Sequence, residues 1–226
     1  MNEKQARTLI VDAAKSYLGF SEASGKHRRI IDIYNEQGKQ PPPRGYRVTY
    51  SDAWCATFIS AIAIQCGMSD IIPQECSCYY QVVAFAQLGE WCENDAYKPT
   101  TGDIIYYDWQ DSGAGDNTGA PDHVGIVEKC EGGTITVIEG NKNDSVERRT
   151  LKVDGKYIRG YGLPDYAKWA AKHSEDNRPW FEKDGTWKRA QELGLMDGTR
   201  PYDTMKRCEL AAVAVRLYDK LKEDKA

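Results

Sequence analysis

Apolar residues in the first half of the chain recur every three to four positions, the spacing of an amphipathic helix. In the first such stretch Leu9, Ile10 and Ala13 share one face, and Gly19 ends the helix. The pattern predicts four helices, over residues 4–18, 27–36, 51–67 and 79–88. The prolines at 41–43 predict an extended spacer between the second and third helices.

Beyond residue 100 the spacing changes from helical to alternating, which is typical of strands. The predicted strands cover residues 103–107, 123–130, 134–140, 147–153 and 157–161. A polar loop rich in Gly, Asp and Asn separates the first two of them. Helices followed by strands predict an α+β domain with an antiparallel sheet.

The turn at residues 131–133 predicts a hairpin whose register matters for the chemistry. With a three-residue loop, His123 faces Asn141 and Glu139 faces Gly125. A slip of two residues instead places Glu139 opposite His123. In either register an acid or an amide reaches the imidazole, because alternate residues share a face. The alternative is that residues 139–141 serve only as turn-forming residues.

A polar segment at residues 172–179 is the best candidate for a domain boundary. It predicts a first domain over residues 1–171 and a small helical module over residues 180–226. Two short helices, 186–193 and 207–221, are predicted in that module.

The net charge of −4 argues against a general affinity for nucleic acid or anionic lipid, which requires basic patches. No apolar run approaches the ~18 residues of a membrane span. The first residues lead into an amphipathic stretch rather than an apolar signal-peptide core. We therefore expect synthesis in the cytoplasm without a signal peptide, and no insertion into a membrane.

Seven cysteines accompany only three histidines in the 226 residues. An odd number leaves at least one thiol without a partner in the chain, and a dense disulfide scaffold is typical of much smaller secreted domains. Cys66 is too far along its helix to bridge to Cys55. Cys76, Cys78 and Cys92 together match no common zinc spacing, so no metal site is predicted there.

Cys55 is the candidate nucleophile, because Ser51 or Asp52 is a good N-cap and would place the thiol in the first helical turn. Helix N-termini stabilise thiolates. The alternative is a small buried apolar residue. Among the histidines, His27 is predicted to be a solvated residue in a basic helix start, and His173 lies in the linker. Only His123, which opens an apolar strand, is a central candidate base.

Four segments resemble the CHAP domain, the family of cysteine- and histidine-dependent amidohydrolases and peptidases. They are residues 53–58 (AWCATF), 102–107 (GDIIYY), 122–127 (DHVGIV) and 137–141 (VIEGN), in the order that the family has them. The resemblance spans residues 10–165. It implies a papain-like enzyme that cuts peptidoglycan, as phage lysins and bacterial autolysins do.

Carried over by motif, the resemblance implies that Cys55 is the nucleophile and His123 its general base. Glu139 would orient the imidazole, and Asn141 would assist it. The related NlpC/P60 group usually has a further histidine late in the second strand, where this chain has Glu139 and Asn141. The expected reaction is hydrolysis of a muramoyl–alanine bond or of a peptide bond in the stem or cross-bridge.

On this expectation, Trp54, Trp109 and Tyr50 line the substrate groove. Core packing is the alternative for each aromatic residue here; it is preferred for Tyr107 and left open for Trp109. No cofactor is expected. Some CHAP enzymes carry a calcium loop upstream of the cysteine, and this chain has no matching segment there. A second loop has enough oxygens for calcium but lacks the EF-hand spacing, so a solvated loop is predicted; its residues are Asp108, Asp111, Asp116 and Asn117.

The tail is a second resemblance, since residues 187–201 and 206–211 are similar to an S-layer-homology repeat. Such repeats bind cell-wall polymers, normally in sets of three, and one copy buries a poor core alone. We expect this module to dock on the first domain or to associate between chains. The full expectation is a phage or prophage lysin that acts on the cell wall after release. The alternatives are a non-catalytic wall-binding or virion module, and a papain-like amidase on another amide.

Overall fold

The computed structural model describes residues 1–113 and 117–173, together with residue 192. The chain divides after Lys172, and the first unit, Met1–Lys172, is the one described below. The predicted C-terminal module and its two helices lie outside the described residues, apart from residue 192. In the described part of the chain, no helix has the length and apolarity needed to cross a membrane.

The four predicted helices of the first half are present. Their bounds are α1 Glu3–Lys15, α2 Arg28–Asp32, α3 Cys55–Gln65 and α4 Cys78–Leu88. Asn2 and Gln5 form a reciprocal capping box at the start of α1. The second helix continues past Asp32 as a π-helical turn, Ile33–Gln37.

The predicted spacer at residues 41–43 is not wholly extended, because Pro43–Gly45 forms a short 3-10 turn. Arg44 has a φ of 58° in this turn. Its guanidinium binds both carboxylate oxygens of Glu75, at 3.2 and 2.8 Å. This two-point ion pair accounts for the turn where the prolines alone predicted an extended segment.

The expected N-cap of α3 was wrong, although the position of Cys55 in the first turn is confirmed. Trp54 occupies the N-cap position and provides no side-chain hydrogen bond. The Asp52 carboxylate instead accepts from the backbone N–H of Thr49 at 2.7 Å and from the hydroxyl of Tyr46 at 2.9 Å. Asp52 therefore stabilises the loop before the helix rather than the helix itself.

A six-stranded antiparallel sheet follows the helices, with strand order β1-β6-β2-β3-β4-β5. The strands are β1 Trp91–Cys92, β2 Ile104–Tyr107, β3 His123–Glu131, β4 Thr134–Lys142, β5 Ser145–Lys152 and β6 Ile158–Gly162. A short helix, α5 Tyr166–Lys172, ends the unit. Helices followed by an antiparallel sheet confirm the predicted α+β class.

The hairpin loop was predicted one residue too long, yet the predicted register near His123 is present. Glu131 pairs with Thr134, so the loop has two residues rather than three. A bulge between Val127 and Lys129 then shifts the pairing by one residue. After the bulge Ile126 pairs with Ile138, which is the register that the three-residue loop would have given.

Helix α3 lies on the sheet, and its first nine residues, about two and a half turns, are all buried, which fits a sequence that is largely apolar on every side. Two glycines permit close approach around the hairpin. A Cβ on Gly140 would lie 2.4 Å from Cβ of Phe58, so its absence lets α3 approach β4. A Cβ on Gly125 would lie 2.8 Å from Cγ of Glu139. The first glycine therefore lets the start of α3 approach β4, and the second makes room for the Glu139 side chain between β3 and β4.

Candidate active site

Cys55 is the first residue of α3, and 7% of it is exposed. The backbone N–H of Ala56 contributes to holding the pKa of its thiol below the usual value. At this position the N–H groups of the helix have no partners within the helix, and the helix dipole favours negative charge. The start of α3 therefore suits a thiolate.

His123 is the first residue of β3, and its imidazole interacts with the Cys55 thiol strongly enough that each side chain shifts the pKa of the other. Nε2 lies 3.1 Å from Oε2 of Glu139, which leaves Nδ1 for the sulfur. The ring also stacks on Tyr107, with centroids 5.8 Å apart and an angle of 27°. The hydrogen bond to Glu139 fixes the orientation of the imidazole, and the ring contact limits its tilt.

Glu139 is the third member of this chain of contacts, and it is fully buried. Oε1 accepts a hydrogen bond from Nε of Arg149, on β5, at 2.6 Å, while Oε2 faces His123. Each carboxylate oxygen therefore has its own cationic or hydrogen-bonding partner, as a buried carboxylate requires. Sequence reasoning missed Arg149, because nothing in the run of residues 147–149 distinguishes it from Arg148.

The charges of these groups support one another. A hydrogen bond from Cys78, followed by those from His123 and Ala56, holds the pKa of Cys55 well below its usual value despite burial. Burial lowers the pKa of His123, but hydrogen bonds to Cys55 and Glu139 outweigh burial and raise it to about 9. Burial raises the pKa of Glu139, and its bonds to His123 and Arg149 bring it below the usual value. The favoured state is a thiolate–imidazolium pair backed by a carboxylate.

Cys78 is the neighbour that sequence reasoning did not assign to Cys55. Its sulfur lies 3.7 Å from the sulfur of Cys55, and it is the first residue of α4. From the sequence, Cys78 was considered only with Cys76 and Cys92, as a possible metal ligand, and was not connected with Cys55. The two thiols are 23 positions apart, and only the packing of α3 and α4 brings them together.

The aromatic residues predicted for the groove lie in three different settings. Trp109 is 39% exposed, stacks on Tyr107 with centroids 5.2 Å apart, and lies 5.8 Å from the ring of His123. The Arg149 guanidinium lies over the Trp109 ring, 5.2 Å from its centroid. Trp109 therefore stands beside the imidazole with one part open to solvent. Tyr107 is buried, which confirms its predicted place in the core.

Trp54 does not line a groove, contrary to the prediction. It is fully buried, and its indole N–H donates to Oε1 of Glu22 at 3.0 Å. The residue before the candidate nucleophile is therefore a core residue that connects the start of α3 with the segment between α1 and α2. Tyr50 is exposed, but its hydroxyl donates to Asp32 at 2.8 Å and its ring contacts His27 rather than His123.

His27 is buried, so its prediction as a solvated residue was wrong. Nε2 lies 3.0 Å from the backbone oxygen of Tyr50, Nδ1 lies 3.4 Å from that of Ser21, and the ring packs on Trp54. The basic neighbours in the sequence suggested a surface position, but this side chain turns inward. Both of its nitrogens face backbone oxygens, so it serves structure.

Asn141 lies near the end of β4 with a φ of 57°, where the pairing with β5 is interrupted. Within the described residues it makes no hydrogen bond to His123, whose Nε2 already faces Glu139. Its predicted assisting role stays a prediction.

Most described residues of the loop after β2 are exposed, as predicted, but two of its polar side chains turn inward. Asp108 and Asn117 are both buried. Asn117 donates to the backbone oxygen of Ile158 at 3.2 Å, and Asp111 accepts from the backbone N–H groups of Gly113 and Tyr157. Asp116 lies outside the described residues. Over residues 1–113 and 117–173, no group of three or more His, Cys, Asp or Glu is arranged to hold a metal ion.

A thiol at a helix start, an imidazole at a strand start and an orienting carboxylate form the arrangement that cysteine hydrolases use. The comparison with protein families agrees, since residues 45–141 match the CHAP domain. The matched segment contains Cys55, His123, Glu139 and Asn141. The match supports a hydrolase of the cysteine- and histidine-dependent amidohydrolase and peptidase type. Neither the curated proteins nor the solved structures gave a match to the chain.

Proposed function

We propose that this protein hydrolyses an amide bond of bacterial peptidoglycan with Cys55 as nucleophile. The observation that carries the proposal is the chain of contacts from Cys55 through His123 and Glu139 to Arg149, at the start of a buried helix. The CHAP match supplies the substrate class, because that family acts on peptidoglycan.

In the proposed reaction the Cys55 thiolate attacks the amide carbonyl, and the imidazolium of His123 protonates the leaving amine. Neutral His123 then takes a proton from the water that attacks the thioester, Cys55 leaves as the thiolate, and the thiolate–imidazolium pair is restored. The backbone N–H of Cys55, as the first residue of α3, lies outside the internal bonding of the helix and is the proposed donor to the oxyanion.

Trp109 is the proposed contact for the sugar or peptide next to the cleaved bond. It presents an exposed aromatic surface beside the imidazole, and Arg149 and Tyr107 hold its ring in place. A flat, partly apolar surface of this kind suits a sugar ring or a peptide segment. The proposal extends to a phage or prophage lysin, on the resemblance of its motifs to that group.

The test is a zymogram with purified cell walls. Wild-type protein and Cys66→Ala should clear the walls, whereas Cys55→Ala should not. Cys66 is the matched control, because it is a free thiol at the other end of α3. Equal clearing by wild type and Cys55→Ala would refute cysteine catalysis, and binding to walls without clearing would favour a non-catalytic wall-binding module.

Mass spectrometry of the released fragments identifies the bond. A free muramic acid lactyl group with a new alanine amino terminus indicates a muramoyl–alanine amidase. New termini within the stem or cross-bridge indicate an endopeptidase. Intact walls together with Cys55-dependent cleavage of another amide would favour a papain-like amidase with a different substrate.

A further inference from the structure

We infer that Cys55 and Cys78 form a site of reversible oxidation, in which a hydroperoxide converts the two thiols to a disulfide that switches the enzyme off. The loss of activity rests on the proposed function, whereas the disulfide itself does not. Among the described residues, Cys78 is the cysteine whose sulfur contacts that of Cys55.

The positions of the two sulfurs carry the inference. They lie 3.7 Å apart, about van der Waals contact, and a disulfide bond of about 2.05 Å requires only a small further approach. Each cysteine is the first residue of its helix, so side-chain rotation at two converging helix starts can bring the sulfurs together. Both are in the reduced state in this structure.

The two thiols differ in the way that a reactive and a resolving cysteine differ. The hydrogen bond from Cys78, and then that from His123, favour the thiolate at Cys55. The same hydrogen bond to Cys55, with burial, raises the pKa of Cys78 well above its usual value. Cys55 therefore meets the oxidant as the thiolate while Cys78 keeps its proton.

The chemistry is balanced with one hydroperoxide as the oxidant. The Cys55 thiolate attacks the O–O bond of hydrogen peroxide, an S–O bond forms, and the leaving hydroxide takes up a proton to become water. The sulfur of Cys78 then attacks the sulfenic acid, the S–S bond forms, and the hydroxyl leaves as water with the proton of Cys78. Two thiols lose two electrons and two protons, and the peroxide becomes two waters.

Burial makes this route more selective than general thiol oxidation. Each of the two cysteines is 7% exposed, so a small peroxide can enter, while a second protein thiol cannot approach. The resolving step at contact distance also competes with further oxidation of Cys55, which would be irreversible. The disulfide with Cys78 thus inactivates Cys55 reversibly and also prevents its irreversible oxidation.

The experiment treats the full-length protein with hydrogen peroxide and follows the Cys55 thiol by two readouts that need no cell wall. Non-reducing peptide mapping should show a cross-link between the segments of Cys55 and Cys78, with a mass loss of about 2 Da for the two hydrogens. Labelling of Cys55 by iodoacetamide should fall at least tenfold and return after dithiothreitol. Wall-clearing activity should fall and recover in parallel.

Cys78→Ser and Cys76→Ser are the matched variants, each compared with its own starting labelling. Cys76 is a free thiol two residues from Cys78. Cys76→Ser should behave as wild type, whereas Cys78→Ser should lose the cross-link and accumulate oxidised Cys55 that dithiothreitol does not rescue. A cross-link to another cysteine, or oxidised wild-type Cys55 without any cross-link, would overturn the inference. The peptide map of oxidised wild-type protein tests the inference even if Cys78→Ser fails to fold.

The outcomes for the two proposals separate cleanly. A Cys55–Cys78 cross-link in a protein that clears no walls would support the oxidation site and count against the proposed hydrolase. Wall clearing that stays high in peroxide, with no cross-link, would support the hydrolase and overturn the oxidation site.

Discussion

The two ends of helix α3 carry two thiols in opposite chemical states. Cys55 is its first residue, and Cys66 caps its C-terminus. Burial raises the pKa of Cys66 to about 11. The more deeply buried Cys55 has a pKa well below the usual value, because Cys78, His123 and the N–H of Ala56 all stabilise its thiolate. Burial alone makes a cysteine inert, and the helix end with its partners makes it reactive.

The largest expected effect comes from removing the sulfur at the start of α3, and removal of the sulfur at its other end is the control. Cys55→Ala should lower kcat/KM by about 10³-fold or more, because the covalent route disappears. Cys66→Ala should stay within about twofold of wild type, since its site lacks such partners. The check is steady-state hydrolysis of purified walls, with circular dichroism to show that both variants fold. Similar losses for the two variants would remove the distinction between the two ends.

The next largest effect tests the carboxylate that supports the imidazole. Glu139→Gln should lower kcat/KM by about 10²-fold, because the amide cannot stabilise the imidazolium. The pH profile of activity shows in which direction the pKa of His123 changes. Wild-type activity should fall as His123 loses its proton around pH 9. Without the negative charge the pKa of His123 drops, so this alkaline limb should move to lower pH.

Glu128→Gln is the matched control for the carboxylate. Glu128 is also on this hairpin and pairs with Arg148 at 2.6 Å, but it has no contact with His123. Its pH profile should match wild type. An unchanged alkaline limb in Glu139→Gln would show that Glu139 does not act through the imidazole.

A smaller effect is expected at Arg149, a positioning residue behind Glu139. Arg149→Met should lower kcat/KM by about tenfold, because Glu139 Oε1 loses its partner and Trp109 loses the guanidinium over its ring. The pKa of Glu139 should rise as a result, so the activity should fall at a higher pH on the acid side than in wild type.

The control for Arg149→Met is Arg148→Met, the neighbouring arginine whose ion pair lies with Glu128. It should leave both limbs of the pH profile in place. Partial recovery of activity in Arg149→Lys would fit a charge role. Equal pH profiles for the two methionine variants would show that Arg149 has no positioning role at Glu139.

The smallest effect is expected at the exposed aromatic surface beside the imidazole. Trp109→Ala should raise KM by about three- to tenfold with a smaller change in kcat, because it removes contact area for substrate. Trp109→Phe should recover most of the loss. Kinetics on soluble wall fragments give the split, and a loss confined to kcat would point to displacement of His123 rather than to binding.

The sequence allowed much of this site to be predicted, because its key features are local. Cys55 in a first helical turn was predicted from an N-cap that proved wrong, whereas His123 at a strand start follows from the alternating pattern and the α+β class from the order of the elements. Of the two registers considered, the one derived from a three-residue loop matches the pairing near Glu139, but the loop length from which it was derived is incorrect. The loop is one residue shorter than expected, and a bulge past Val127 compensates for it.

The parts that could not be predicted depend on contacts between distant segments. Cys78 reaches Cys55 only through the packing of two helices, and Arg149 reaches Glu139 only across the sheet. Trp54 and His27 were misplaced for the same reason. Their neighbours suggested a groove and a solvated surface, whereas each fills the interior against the other.

The most direct test of the central claim is the pH dependence of alkylation at the two ends of α3. Folded protein is pulsed with iodoacetamide from pH 5 to pH 11 at low conversion, and labelling of Cys55 and Cys66 is resolved by peptide mass spectrometry. We predict that Cys55 labels at a nearly constant rate down to well below the ordinary thiol pKa of about 8.5, while Cys66 lags until about pH 11. Parallel rises of both thiols near the ordinary value would contradict the account.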